Sequence, residues 1–446
     1  MKISKYSFIF HNDSMEYYVY NTLSNALLEI DEESYNKLLD TQNGNETIDI
    51  ATYGKELYDA LLNNNVISTN DDDDFLIYKS IIAKNRMQNN SMHLTLAPTM
   101  ECCFNCHYCF EKFKGPQKMS SEIINSIIKY IVSKPNIDEI KITWFGGEPL
   151  MAQPQIEEFY DTFSSVWKKE IASNIITTGY HINLNAIRIL QKIGVKQVQI
   201  TLDGLKETHN RIKYLSSGDD VFERVISNIE LINNIAPEIN VVIRVNLTLD
   251  NAHEYVPLYE YLIKRFNNRR NIGIAPAFVL DRGISYCANC VTQNTLFNHI
   301  NRSKFILNLA KCGFDSPFIR YPKRFISECA IRNDVAIAFD PEGYAYKCWE
   351  VIGNKEYAIG KLNGEGQLTD INEKVLNRQL YGADPLEDPI CSQCKYLPIC
   401  NGGCPIQRIE NKFEGGHNCN CTYYKGYMVE FLKIHLARKK AGLDNY

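Results

Sequence analysis

Residues 101–110 read Glu101-Cys102-Cys103-Phe104-Asn105-Cys106-His107-Tyr108-Cys109-Phe110, and they set Cys102, Cys106 and Cys109 in the spacing CxxxCxxC. Three thiolates can hold three irons of a cubane 4Fe–4S cluster, whose usual protein complement is four cysteines. One iron is then left open to an exogenous molecule. Two other readings fit the same spacing: one buried face of a helix, or a zinc site short of a ligand. Upstream, His93-Leu94-Thr95-Leu96 alternates with period two and Pro98 follows, which predicts a strand feeding a loop and not a helix interior. Cys103 lies outside the spacing and reads as a packed free thiol.

Outward from this stretch the chain alternates in type. Candidate strands at 93–96, 139–144, 175–178, 197–202, 240–246 and 272–276 are separated by helical patterns at 120–133, 156–171, 184–193, 221–234 and 254–266. Such alternation predicts parallel βα units with right-handed crossovers. Six units are too few for the full eight-unit barrel. Short motifs stand at successive strand ends: Trp144-Phe145-Gly146-Gly147-Glu148-Pro149, then Thr177-Thr178-Gly179, then Thr201-Leu202-Asp203-Gly204, then Arg244 with Asn246. Each alone is ordinary turn chemistry. Together they mark one edge of a sheet.

At 446 residues, two or three domains are expected. Apolar content of 45%, charged content of 23% and a net charge of −5 are ordinary for a soluble globular protein. No basic tract points to nucleic acid. The opening MKISKYSFIFHNDS lacks a signal peptide's apolar core, and no 18-residue apolar run predicts a membrane span. The cytoplasm is the expected location. Fifteen cysteines, clustered at 102–109 and 329–421, then point to metal ligation and not to a disulfide framework.

The triplet, with aromatic Tyr108 before its last cysteine, resembles the cluster loop of the radical S-adenosylmethionine (SAM) enzymes. The resemblance implies an open six-unit (β/α) partial barrel with chemistry at the C-terminal strand ends. It implies a cluster on Cys102, Cys106 and Cys109 whose open iron is chelated by SAM, and cleavage of SAM to a 5′-deoxyadenosyl radical that takes a substrate hydrogen. Gly146, Gly147, Glu148 and Pro149 resemble the family's GGEP segment, whose backbone and glutamate bind the SAM amino group. Thr201 to Gly204, with Asp203, is similar to its SLDG turn. Thr178 stands where relatives usually carry asparagine. Arg244 and Asn246 are expected to face the ribose and carboxylate of SAM.

The C-terminal third adds a second array: Cys329, Gly343, Cys348, then Cys391, Cys394, Cys400 and Cys404 as CxxCxxxxxCxxxC, then Cys419-Asn420-Cys421. Phe339 to Tyr346 reads as a hairpin turning on Asp-Pro-Glu-Gly. This array resembles the SPASM domain, which carries two auxiliary 4Fe–4S clusters, for three clusters in all. By position, Cys391, Cys394, Cys400 and Cys421 would hold the outer cluster, Cys421 being preferred to Cys419. Cys329, Cys348 and Cys404 would hold the inner one, left open at one iron or completed by Cys312. A zinc ribbon is the alternative for such spacing. Cys287 and Cys290, a CxxC within the bridging region 286–328, read as ordinary cysteines.

Residues 1–75 read as a separate module, with strands at 17–20 and 26–30, helices after Asp31 and at 55–62, and 71–74 as an acidic linker. The module resembles the winged-helix leader-peptide recognition element of peptide-modifying enzymes, in which a leader adds to a sheet edge. The expected divisions are 1–75, a barrel at 76–285, a bridge at 286–328 and the cysteine domain at 329–446. The resemblance as a whole implies a maturase that crosslinks a ribosomally made precursor peptide, most plausibly by a cysteine thioether. It also implies a low-potential donor such as flavodoxin or ferredoxin, with no nucleic acid and no membrane. Alternatives are a carbon–carbon or carbon–oxygen crosslink, an anaerobic sulfatase-maturing (formylglycine-forming) enzyme, or a non-enzymatic metal scaffold.

Overall fold

The structure is a computed structural model and describes residues 1–44, 48–87, 90–106, 108–111, 113–267, 270–279, 295–314 and 321–443. Its spine is a ten-stranded sheet. Six strands run parallel in sequence order: β4 (Ser91–Leu96), β5 (Glu139–Trp144), β6 (Glu170–Thr177), β7 (Val195–Leu202), β8 (Asn240–Leu247) and β9 (Ile272–Phe278). Adjacent strands pair throughout, from Leu96 opposite Trp144 to Arg244 opposite Ala275. Their C-terminal ends therefore lie along one edge. This is the partial α/β barrel expected from the sequence.

The residues explain the layering. In β5 the pattern Glu-Ile-Lys-Ile-Thr-Trp buries Ile140, Ile142 and Trp144 on alternate positions, the period-two signature of a strand. Between strands, helices begin at side-chain caps: Ser120 accepts from Ile123 N, Asn183 from Ala186 N and Asp220 from Glu223 N. In Ser121–Val132, Ile124, Ile127, Ile128 and Ile131 fall at helical spacing and are buried in the same core as the strands. The helical pattern read over 156–171 ends earlier, at Val166, because β6 begins at Glu170 and Trp167 already has extended backbone.

Two features were not legible beforehand. The hairpin β10 (Ile337–Phe339) and β11 (Tyr344–Tyr346) forms as expected around Asp340, whose Oδ1 accepts from Glu342 N and Tyr344 N, both at 2.9 Å. Yet β10 also pairs in parallel with β4, Ile337 opposite Leu94 and Phe339 opposite Leu96. With β12 (Gly360–Leu362) and β13 (Leu368–Thr369), the cysteine-rich region thus extends the barrel sheet itself.

The second feature is at the N-terminus, where β1 (Ser7–His11) joins β2 (Tyr17–Asn21) and β3 (Leu27–Ile30) in an antiparallel sheet of order β1-β2-β3. The acidic run 71–74 is no linker. It is the first turn of helix Asp71–Arg86, capped by Asn70, where carboxylates favour the positive end of the helix dipole. The sheet packs on the far end of the chain: Thr22 Oγ1 donates to Lys395 O at 2.7 Å, Lys5 Nζ to Ser392 O at 3.2 Å, and Lys395 Nζ sits 4.0 Å from the Phe8 ring. Tyr6, Leu23, Tyr78, Ile82, Leu386 and Leu397 share one apolar cluster. Cys287 and Cys290 lie outside the described residues.

At the C-terminal end of helix Asp71–Arg86, Arg86 forks onto Glu328 and reaches Asp384 Oδ2 at 2.7 Å, while Arg332 stands 3.7 Å from Glu328. Both acidic side chains are buried, at 5% and 7% exposure. Arg86→Met leaves their charge short of a partner and is expected to lower stability by about 3 kcal/mol, read by thermal or urea unfolding. An unchanged melt would show that this seam contributes nothing net.

Candidate active site

The cysteine loop leaves the end of β4 and is held down by the neighbouring strand end. Phe145 N donates to Leu96 O at 2.9 Å, Gly147 N to Thr99 O at 3.2 Å and Glu148 N to Glu101 O at 2.7 Å. A Cβ on Gly147 would stand 2.2 Å from Glu101 O, and one on Gly146, at φ +110°, 2.4 Å from Thr99 O. Only glycine fits such contact. The close approach these glycines permit is therefore to the cysteine loop's own backbone.

Glu148 has no exposure at all. Its carboxylate accepts from Leu150 N (3.0 Å), Thr177 Oγ1 (2.6 Å), Thr178 N (2.7 Å) and Thr178 Oγ1 (2.5 Å). A buried carboxylate needs such donors in place of water. Glu148 thus ties the ends of β5 and β6 together, and Pro149 opens the buried turn Pro149–Ala152 beyond it. The threonine at 178 occupies its hydroxyl in this tie.

Tyr108 reaches across to the end of β7. Its hydroxyl donates to Asp203 Oδ1 at 2.5 Å, and Lys213 Nζ contacts both that hydroxyl, at 3.0 Å, and Asp203 Oδ2. Asp203 and Lys213 are fully buried, and Asn251 Nδ2 donates to Asp203 O at 2.6 Å. Sequence reasoning missed Lys213, since a lysine nine residues beyond the Thr201–Gly204 turn ordinarily faces solvent. Arg244 stands opposite Thr201 in the pairing of β8 with β7, and its Nε donates to Asn246 Oδ1 at 3.1 Å. Although Arg244 is exposed, desolvation by the protein packed around it lowers its pKa, while the charges of Tyr108 and Glu350 oppose that shift. Glu350 follows Cys348, so the cysteine-rich region overhangs the barrel mouth here. Phe110, Phe145 and Trp349 form a continuous stack, with ring centroids 6.1 and 5.9 Å apart.

Several thiols have other thiols as charged neighbours. Cys102, Cys106 and Cys109 are partly buried in one loop, and the charges of Cys102 and Cys106 reach Cys106 and Cys109 respectively. Cys348 is pushed up by burial and by the charges of Glu350, Cys329 and Cys404. Cys400 is raised to about 11, chiefly by burial, with Cys421 and Cys391 as charged neighbours. Arg408 Nη1 donates to Cys391 Sγ at 3.4 Å. Lys425 Nζ donates to Cys421 Sγ at 3.4 Å, whereas Cys419 Sγ lies 3.1 Å from His299 Nδ1. Cys312 is exposed at the C-terminal cap of helix His299–Lys311.

Among the described residues no three His, Cys, Asp or Glu side chains converge on one metal ion. Zinc draws its thiolates to about 2.3 Å from a single point. A cubane spreads them over separate irons, and soft thiolates suit it.

Comparison with known proteins agrees with the barrel. Residues 96–262 match the sequence family described as the Radical SAM superfamily. A cysteine-type anaerobic sulfatase-maturating enzyme of Clostridium novyi (strain NT) is 23% identical over 370 residues, covering 76% of this chain and 94% of that protein. The radical SAM cyclopropyl synthase TigE of Paramaledivibacter caminithermalis is 25% identical over 464 aligned residues, covering 92% of this chain and 90% of the relative. Among solved structures, native anSMEcpe with bound AdoMet and Cp18Cys peptide superposes with a TM-score of 0.60 at 19% identity, over 80% of this chain and 100% of that one.

His209 beside Asp203 yields a pH prediction. Asp203 N donates to His209 Nδ1 at 3.2 Å, so the ring proton sits on Nε2. Burial, then the Lys213 charge, lowers its pKa from 6.5 to about 3. An unfolded chain therefore binds a proton below pH 6.5 that the fold rejects, and stability falls as pH drops from 6.5 towards 3. His209→Gln is expected to remove up to about 1.4 kcal/mol per pH unit of that acid loss, read by urea unfolding at pH 7 and pH 5. Parallel pH curves for both proteins would refute it.

Proposed function

We propose that this radical SAM enzyme is a maturase that takes a hydrogen from a precursor peptide and closes a crosslink, most plausibly a cysteine thioether. Cys102, Cys106 and Cys109 would hold the SAM-binding 4Fe–4S cluster. Cys391, Cys394, Cys400 and Cys421 would hold an outer auxiliary cluster, and Cys329, Cys348 and Cys404 an inner one with a position open to a substrate thiolate. When bound, the reduced cluster and SAM supply a radical able to abstract a hydrogen atom from an unactivated carbon.

The chain's own part is placement and exclusion of water. Glu148 fixes the ends of β5 and β6 on which Gly146 and Gly147 seat the loop. Thr201 and Arg244 line the mouth at matched register, Arg244 offering a cation to a carboxylate. The stack of Phe110, Phe145 and Trp349 shields the space between the first cysteine set and the inner one.

The observation that carries the peptide reading is the β1-β2-β3 sheet seated on the 391–396 loop. β3 pairs with β2 alone in that sheet, and its outer edge can accept an added strand. The cyclopropyl synthase aligns over 92% of this chain, against 76% for the sulfatase-maturating relative, so its likeness takes in more of the chain. The sulfatase-maturating likeness favours a second reading, oxidation of a cysteine or serine on a protein substrate.

A short peptide encoded beside this gene, co-expressed anaerobically and weighed by mass spectrometry, tests the choice. Loss of hydrogen pairs is expected, and a proline placed at Leu28 or at Glu29 of β3 is expected to cut conversion at least about tenfold. An unchanged peptide mass alongside SAM cleavage would favour the protein-substrate reading. Alanine at Cys102, Cys106 or Cys109 is expected to abolish SAM cleavage, measured as methionine release. Cleavage surviving in any of these would contradict the ligand assignment.

A further inference from the structure

The charge of the chain is unevenly divided. Residues 1–74 hold fifteen Asp and Glu against four Lys and no Arg, a net of −11, while residues 75–446 hold 38 against 44, a net of +6. The acidity therefore belongs to the module that carries the first sheet. With Asp71–Asp74 set aside as a helix start, eleven carboxylates still stand against four lysines. Three of those lysines are engaged: Lys2 Nζ with Asp71 Oδ2 at 2.8 Å, Lys5 with the 392–393 loop, and Lys37 Nζ with Glu33 Oε1 at 2.7 Å. Glu29 within β3 and Asp31, Glu32 and Glu33 directly after it are all exposed.

This acidic stretch coincides with an unpaired strand edge. Asn21 N donates to Ala26 O at 3.0 Å, so alternation along the antiparallel pair turns the backbone groups of Leu28 and Ile30 towards β2 and those of Leu27 and Glu29 outward. Among the described residues nothing pairs with that outward row. Carboxylates alone attract any cation, whereas a row of free N–H and C=O groups matches an extended backbone. A second copy of the chain is a poor occupant. Antiparallel pairing of two β3 edges would bring their glutamates together, and like charges across strands are destabilising. The side chains of an added strand would alternate between the face of Leu28 and Ile30, which pack on the module's apolar cluster, and the face of Glu29.

We propose that the β3 edge takes a cationic peptide: an extended precursor segment in which Lys or Arg alternates with apolar residues. Its basic side chains fall on the side of Glu29 and beside Asp31–Glu33, and its apolar ones on the side of Leu28 and Ile30. Opposite-charge pairs across the strands fix sign and register, and the field of the module draws the precursor in. The proposal rests on the use of the β3 edge in the maturase reading and names the chemistry of what that edge accepts.

The test uses the full-length enzyme and two short fluorescein-labelled probes, one alternating Lys with Val and the other Glu with Val, read by fluorescence anisotropy. The Lys probe is expected to bind at least about tenfold more tightly, with the preference shrinking at roughly 0.5 M salt. Glu29→Lys combined with Glu32→Lys is expected to narrow that preference about tenfold, and Asp72→Lys combined with Asp73→Lys, on another element, to change it much less. Glu29→Pro, which removes an outward N–H, is expected to weaken the Lys probe about tenfold. Equal binding of the two probes, or equal narrowing by the two charge reversals, overturns the proposal. If binding is still lost in Glu29→Pro, the edge reading survives that failure. Binding indifferent to Glu29→Pro overturns the proposal and the edge reading together. The charge reversals touch exposed side chains and carry the test if Glu29→Pro does not fold.

Discussion

The arrangement depends on strand β4 being paired on both sides. β5 lies along one edge and β10 along the other. The loop that leaves β4 therefore emerges where barrel and cysteine-rich region meet, and it cannot drift towards either. Gly146 and Gly147 close that loop from the β5 side with no room for a side chain. Tyr108 pins its far end to the tip of β7. A loop that carries four cysteines is in this way fixed by backbone contact and one buried hydroxyl.

The same logic runs through the buried charges. Glu148, Asp203 and Glu328 each sit out of water, and each is met by donors from more than one element. A half-satisfied carboxylate in such a place would be costly, so these groups select one arrangement of strand ends over near alternatives. The apolar core supplies most of the drive to fold, while these ties decide which strand end meets which.

Much of this was legible in the sequence where the signal is local. Period-two runs such as Glu139 to Trp144 and capped helices such as Ser121–Val132 declare themselves within a dozen residues. What could not be read is what depends on distant pairing. Nothing in Ile337-Ala338-Phe339 announces β4 as a partner, and Lys213 looks like any helix-end lysine until Asp203 and Tyr108 enclose it. Residues 71–74 misled because four aspartates resemble a solvated run, yet Asn70 and the helix dipole turn them into a helix start. A motif likewise carries no information about the tie that Glu148 makes to Thr177 and Thr178.

The contact between the first sheet and the 391–396 loop also bears on how the chain is made. Tyr6 and Leu23 share their apolar cluster with Leu386 and Leu397, more than 300 positions later in the chain on the order of the whole barrel. During synthesis the first sheet leaves the ribosome long before its partner surface exists. Those side chains lack part of their cover until Leu386 and Leu397 emerge. A segment made early is thus buried late, and a chain stopped short of residue 397 would display that patch to whatever surveys unfinished proteins.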